Sequence, residues 1–162
     1  LSLAANVFLG TQYFKYIEAC RRDSFETMRV VRSFESVCEK VARIANDIPA
    51  QEVLCDTPEA ETLLIGWGGT FGHLYTAAEE LNREGVPVAL AQFRYINPLP
   101  ANTGEILRRY KRVVVAELNT GQFADYLQAR FPDVEIRRFN KVEGQPFLVS
   151  EIVAGVKQEI AK

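Results

Sequence analysis

From residue 62 onward, short apolar runs alternate with stretches of helical periodicity. Thr62 to Ile65 is apolar or β-branched throughout, as a strand covered on both faces is. Helical spacing follows from about Leu74 to Glu84, with Leu74, Ala77, Ala78 and Leu81 on one face and Gly85 as the stop. Pro87 opens a second strand, Val88 to Phe93, and a short helix then carries Ile106, Leu107 and Tyr110. Arg112 to Leu118 reads as a third strand centred on Val113 to Ala116, and the next helix has Phe123, Tyr126, Leu127 and Phe131 on its apolar face. Val134 to Phe139 is a fourth strand, and its imperfect alternation places it toward a sheet edge. A last helix carries Ile152, Val153, Val156 and Ile160.

Oxygen-bearing residues mark the helix starts. Asn102 with Glu105 reads as a capping box, Asn119 to Gln122 as a cap, and Ser150 as the cap of the last helix. Strands and helices alternating through short links require crossover connections and a parallel sheet. The pattern therefore predicts an α/β fold, a three-layer α/β/α domain over residues 60–162 with a mostly parallel sheet.

Residues 1–59 read differently, as a helical extension and linker. Asp23 and Glu26 fit a capping box ahead of a helix bearing Val30, Phe34, Val37, Val41, Ile44 and Ile48. Gaps alternating four and three give a narrow seam. That seam suits a helix lying along its own domain and a connector packed on a neighbour equally well. Pro49 is the expected stop, and the polar stretch to Glu61, with Pro58 inside it, is the expected linker. Upstream, Tyr13, Phe14, Tyr16 and Ile17 read as one helix face or an interface strip. Leu1 to Gly10 lacks the basic start and cleavage pattern of a signal peptide, and a first residue of Leu rather than Met points to a fragment or a processed chain.

The conspicuous loop is Gly66-Trp-Gly-Gly-Thr-Phe-Gly72, between the first strand and its helix. Amides of a helix beginning near Gly72 point back at this turn, so it can receive an anion, with Gly68, Gly69 and Thr70 as candidate contacts. Two specific readings fail. A dinucleotide fingerprint needs a third glycine where Phe71 stands and an acid after the second strand, which ends at Phe93 without one. A phosphate-binding P-loop needs Lys after its last glycine, where His73 stands. A non-nucleotide ligand turn and a turn that packs a helix on a sheet remain, with the structural reading favoured.

Composition narrows the rest. The 162 residues are 48% hydrophobic and 25% charged, ordinary for a globular domain. Nineteen basic against 21 acidic residues leave −2, with no footprint for nucleic acid or an anionic membrane surface. No apolar run approaches the ~20 residues of a membrane span. Cys20, Cys38 and Cys55 are odd in number and widely spaced, which suggests neither disulfides nor a zinc or iron–sulfur ligand set and fits reduced thiols in the cytoplasm. His73 is the single histidine, so no multi-histidine metal site exists.

Four loops carry a resemblance: Gly66–Gly72, Arg94-Tyr-Ile-Asn-Pro-Leu-Pro100, Glu117-Leu-Asn-Thr-Gly-Gln122, and Gly144-Gln-Pro-Phe147 followed by Glu151-Ile152. In this order they resemble the C-terminal part of the α subunit of 2-oxoacid:ferredoxin oxidoreductases, most closely the 2-oxoglutarate type, over roughly residues 37–160. Lys40 to Pro49 fits that family's helix ahead of a transketolase C-terminal-like domain. The resemblance implies a whole enzyme that decarboxylates a 2-oxoacid on thiamine diphosphate with magnesium. It forms an acyl-CoA and passes electrons through iron–sulfur clusters to ferredoxin, in a cytoplasmic hetero-oligomer with a β subunit. It also implies that this segment binds none of those cofactors, and no Gly-Asp-Gly…Asn-Asn thiamine motif is present. Residues 1–36 do not match that family well.

Within this frame Asn97, Pro98, Glu117, Asn119, Gln122 and Gln145 are loop and interface candidates. Capping is the favoured role for Glu117, Asn119 and Gln122, against binding of a polar substrate group. Trp67 reads as a cap over the strand ends, His73 as a partly exposed residue at a helix start, and Gln145 and Glu151 as contacts to a neighbouring domain. No nucleophile–base pair or paired carboxylates can be assembled, so no catalytic residue is assigned. The alternative of another class is a free-standing small-molecule module that binds an anion at the glycine turn.

Overall fold

The computed structural model describes residues 24–161. The chain divides between Asp47 and Ile48 into two compact units. The expectations for Tyr13 to Ile17, Cys20 and the cap at Asp23 lie outside the described residues, as does the side chain of Val30.

In the first unit, α1 (Ser24–Ile44) is a single helix. Phe34, Val37, Val41 and Ile44 of its seam are exposed. It ends before the expected stop at Pro49. Asn46 and Asp47, which favour turns over helix interiors, close it with N–H bonds of 3.0 Å to Arg43 O and Ile44 O.

The second unit holds the strand–helix alternation. Its elements are β1 (Thr62–Trp67), a 3₁₀ turn (Gly68–Thr70), α2 (Phe71–Arg83), β2 (Val88–Phe93) and α3 (Thr103–Arg109). β3 (Arg112–Glu117), α4 (Gln122–Arg130), β4 (Ile136–Asn140) and α5 (Val149–Ala161) follow. The four strands form one parallel sheet in the order β2-β1-β3-β4. The fourth strand lies at the edge as its pattern predicts, starting two residues later than read, at Ile136.

Alternate residues of the strands feed two cores. Leu63, Ile65, Ala91, Val113 and Val115 meet Ile106 and Leu107 of α3 and Phe123 and Leu127 of α4. Leu64, Leu90, Val114 and Ala116 meet Leu74, Ala78 and Leu81 of α2 and Ile152 and Val156 of α5. Helices thus cover both faces. A single crossover hand demands this arrangement: the step from β1 to β2 runs opposite to the steps toward β3 and β4, so α2 takes one face and α3 and α4 the other.

The stretch before β1 is fastened to this unit at two places. Leu54 forms an isolated antiparallel bridge with Leu90, with both N–H···O bonds at 2.8 Å. The Asn102 amide accepts from Gln51 N–H at 2.8 Å and donates to Gln51 O at 3.0 Å. That second contact corrects the expected capping box, because Asn102 uses its side chain on a segment 51 residues away and forms no cap bond on α3. The start of α5 is corrected too. It begins at Val149, so Ser150 lies inside it rather than at its cap, and Glu151 reaches back to accept from the Leu148 N–H at 2.8 Å, the acid half of a capping box.

Candidate functional site

Connections leave the adjacent strands β1 and β3 in opposite directions, so the sheet's switch point lies between their C-terminal ends. Doubly wound sheets bind ligands in the crevice there. Here that crevice is a shallow hollow of about 180 Å³ lined by Trp67, Gly68, Gly69, Thr70, Glu117, Leu118 and Asn119. Its floor is occupied by the protein's own chemistry.

Glu117 ends β3 fully buried. Its Oε1 accepts from Trp67 Nε1–H at 3.1 Å, Asn119 Nδ2–H at 3.2 Å and Phe123 N–H at 2.9 Å, and its Oε2 from Ala124 N–H at 3.0 Å. Two of these donors are unpaired amides of the first turn of α4, where a carboxylate also meets the positive end of the helix dipole. Asn119 completes the cap, its Oδ1 accepting from Gly121 N–H at 2.7 Å and Gln122 N–H at 3.1 Å. Gly121 turns the chain at φ 98°, a left-handed conformation that glycine takes without strain. A carboxylate with four donors and no exposed surface has no face left to act as a base toward a substrate. Trp67 is half-buried, tilted against Phe123 at 6.2 Å between ring centroids.

The glycines of the first turn separate by role. A Cβ on Gly66 would stand 2.1 Å from Leu74 Cδ1, 2.7 Å from Gln92 Oε1 and 2.8 Å from Thr70 Oγ1, so close packing of α2 on β1 requires glycine there. Gly68 has φ 62° and turns the chain, and its carbonyl accepts from Gln92 Nε2–H at 3.2 Å. Gly69 and Gly72 have nothing within 4 Å of a built Cβ. Thr70 is buried and donates its hydroxyl to Trp67 O at 2.9 Å. Neither the 3₁₀ turn nor α2 has a side-chain cap or an acid in its first turn. His73 lies half-buried in that turn.

Beside this turn a larger groove of about 750 Å³ runs between Pro49–Leu54 and the end of β2, with Trp67, Phe71, Phe93, Arg94, Tyr95 and Ile96 along it. Asn97 is exposed, precedes a cis peptide to Pro98, and accepts from the Tyr126 hydroxyl at 3.3 Å. The Gln122 and Gln145 side chains are exposed, Gln145 just after Gly144 at φ 67°. Lys141 Nζ donates to both oxygens of Glu151 at 2.8 Å and to Pro146 O at 3.2 Å, which pins the last loop. That hydrogen bond first, and the Leu148 N–H second, hold the Glu151 carboxyl below the usual carboxylate range. Phe147 is buried against Phe139 at 5.2 Å, and Gly155 leaves room for that ring.

Glu117, Trp67, Asn119 and the amide of Gln122 therefore meet at one hub, while Asn97 and Gln145 stand apart on other loops. The hub's reach from β3 into the first turn of α4 carries no local sequence signal beyond an acid at a strand end. Among the described residues no group of three or more His, Cys, Asp or Glu stands close enough to hold a metal ion. Cys55 lies half-buried at φ 54°, and burial first and Glu79 second push its thiol up, so it is a poor nucleophile.

Residues 51–125 match the transketolase C-terminal domain family. Over 114 residues, 70% of the chain, the sequence is 44% identical to the 2-oxoglutarate oxidoreductase subunit KorA of Mycobacterium tuberculosis. It is 25% identical over 135 residues to the 2-oxoacid:ferredoxin oxidoreductase subunit alpha of Saccharolobus solfataricus. The fold superposes with a TM-score of 0.74 and 26% identity, over 85% of the chain, on the 2-oxoglutarate:ferredoxin oxidoreductase of Magnetococcus marinus, solved with 2-oxoglutarate, coenzyme A and succinyl-CoA bound. The chain spans 17%, 21% and 24% of these relatives' own lengths.

Proposed function

Because residues 51–125 are a transketolase C-terminal domain and the chain belongs with the α subunits of 2-oxoacid:ferredoxin oxidoreductases, matching their C-terminal part, we propose that it is a structural and interface domain of such an enzyme rather than the seat of the reaction. In this reading residues 60–162 form the domain proper, residues 48–59 are a linker clipped onto it at Gln51 and Leu54, and residues 1–47 are the extension.

One observation carries the proposal. Glu117, the acid at the switch point, spends its lone pairs on four donors of its own fold. Nothing beside it supplies a base, a nucleophile or a metal ligand set. This reading assigns thiamine diphosphate with magnesium and the iron–sulfur cluster, which would supply the decarboxylation chemistry and the electron path, to other parts of the enzyme. The reading takes 2-oxoglutarate as the oxoacid and coenzyme A as the acyl acceptor, supported by the molecules bound to the Magnetococcus enzyme. The β subunit and ferredoxin are the partners, in a hetero-oligomer of the cytoplasm. No described helix is long and apolar enough to cross a membrane. A free-standing anion-binding module is the weaker reading, since the relatives are subunits of larger enzymes.

The chain mixed with its β subunit and the remaining α-subunit domains should co-elute with them on gel filtration. Alone it should reduce no dye with 2-oxoglutarate and coenzyme A. Turnover by the isolated chain would overturn the assignment of the chemistry to other domains.

A further inference from the structure

The exposed large apolar side chains of the α/β unit are Phe71, Tyr95, Leu118, Val142 and Leu148, with relative exposures of 43%, 47%, 41%, 66% and 60%. All five stand on the segments that follow the C-terminal ends of the strands: Phe71 after β1, Tyr95 after β2, Leu118 after β3, Val142 and Leu148 after β4. No strand end lacks one. The exposed charged side chains on these loops are Arg94 and Glu143, since Lys141 is 11% exposed and bound to Glu151. At the opposite end Arg108 pairs with Asp133, Arg109 with Asp56, Lys111 with Glu61 and Lys157 with Glu84, whereas the rim end holds the Arg138–Asp125 pair and the pairs of Lys141 with Glu143 and Glu151.

We propose that this rim is a permanent docking face, covered by another domain of the same α subunit. The proposal rests on the interface reading above and names the face and its occupant. Four strands at about 4.8 Å spacing spread these side chains over roughly 15 Å, wider than one small molecule covers and suited to a protein surface. Apolar and aromatic residues with few charges are the composition of an interface core, and obligate interfaces are the more apolar class. Relatives several times the length of this chain supply the occupant, because it spans 17% and 24% of two of them. Gly69 and Gly72 fit the same picture. The fold gives a side chain there open space, so bare backbone at the crest of the rim serves a neighbour that approaches closely.

The test uses the assembled enzyme that contains this chain. Cysteines placed by Val142→Cys and Leu148→Cys should react with a maleimide at least tenfold more slowly than one placed by Glu135→Cys, whose side chain is 72% exposed at the far end. A photo-crosslinking residue at position 142 should yield adducts to α-subunit segments outside residues 1–162. Gly72→Ala should lower that adduct yield severalfold while leaving the melting temperature of the separate chain, residues 1–162, unchanged or raised. Equal labelling at both ends overturns the proposal, as do adducts to the β subunit or to a second copy of residues 1–162. An enzyme containing this chain that fails to oxidise 2-oxoacids with ferredoxin would overturn the functional reading instead, whatever the labelling shows.

Discussion

Replacing Glu117 by Gln keeps the shape of the side chain and changes one thing: an acceptor becomes a donor. With the amide oxygen at the Oε1 position, the bonds from Trp67, Asn119 and Phe123 survive as neutral ones. The new NH₂ then faces the Ala124 N–H across about 3.0 Å, donor against donor. An orphaned buried donor costs about 1–3 kcal/mol, and a charged acceptor made neutral loses about 1 kcal/mol per bond. Loss of the charge at the α4 N-terminus adds about 0.3–1 kcal/mol. Relief from burying a carboxylate offsets part of this, so the net expected loss is about 2–4 kcal/mol. Urea unfolding followed by the emission of Trp67, the chain's one tryptophan and a donor to Glu117, reads both stability and the local change. Glu117→Ala, which strands all four donors, should cost more than the Gln variant. A loss below about 0.5 kcal/mol for Glu117→Gln, with unchanged Trp67 emission, would refute the hub.

Other outcomes follow from packing and charge. Leu64, fully buried and in register with Val114 of β3, should cost about 2–5 kcal/mol as Leu64→Ala, measured by the same unfolding curves. Gly66→Ala forces Leu74 and Gln92 aside and should cost about 1–3 kcal/mol, while Gly69→Ala, with open space around it, should stay within about 0.5 kcal/mol of the parent or exceed it. The Glu151 carboxyl is depressed in the folded state by Lys141, so its contribution is complete above its unfolded value of about 4.3 and disappears as pH falls through the lower folded value. Midpoints of urea unfolding should drop in that acid window, and the drop should be shallower in Glu151→Gln.

Strands and helices were legible because their signals are local. Val113 to Ala116 reads as a buried strand from its own composition, and Leu74, Ala77, Ala78 and Leu81 share a helix face by spacing alone. Parallel pairing follows from the alternation, but the order β2-β1-β3-β4 does not, since which strands adjoin is decided by contacts distant in sequence. The same distance hid the side-chain work. Asn102 looks like a cap because its bond to Gln51 spans 51 residues. Ser150 looks like one because it is the oxygen-bearing residue ahead of the apolar spacing, whereas the helix starts a residue earlier and Glu151 reaches back to Leu148. Among the glycines of the first turn, sequence treats all four alike. Only the neighbours in space single out Gly66 as the one that packs.

The clip at Leu54 has a further meaning for the molecule's behaviour in a crowded solution. It occupies both ladder positions of Leu90 on the outer side of β2, while β4 is five residues long and carries Arg137 and Arg138 at its centre. Neither margin of the sheet therefore offers a stranger's backbone a run of free amides and carbonyls, the usual seed of fibrous growth. Among the described residues, the apolar surface left for copies that meet before finding their proper neighbours is side chain rather than backbone: the seam of α1 and the loop tips beyond the strands.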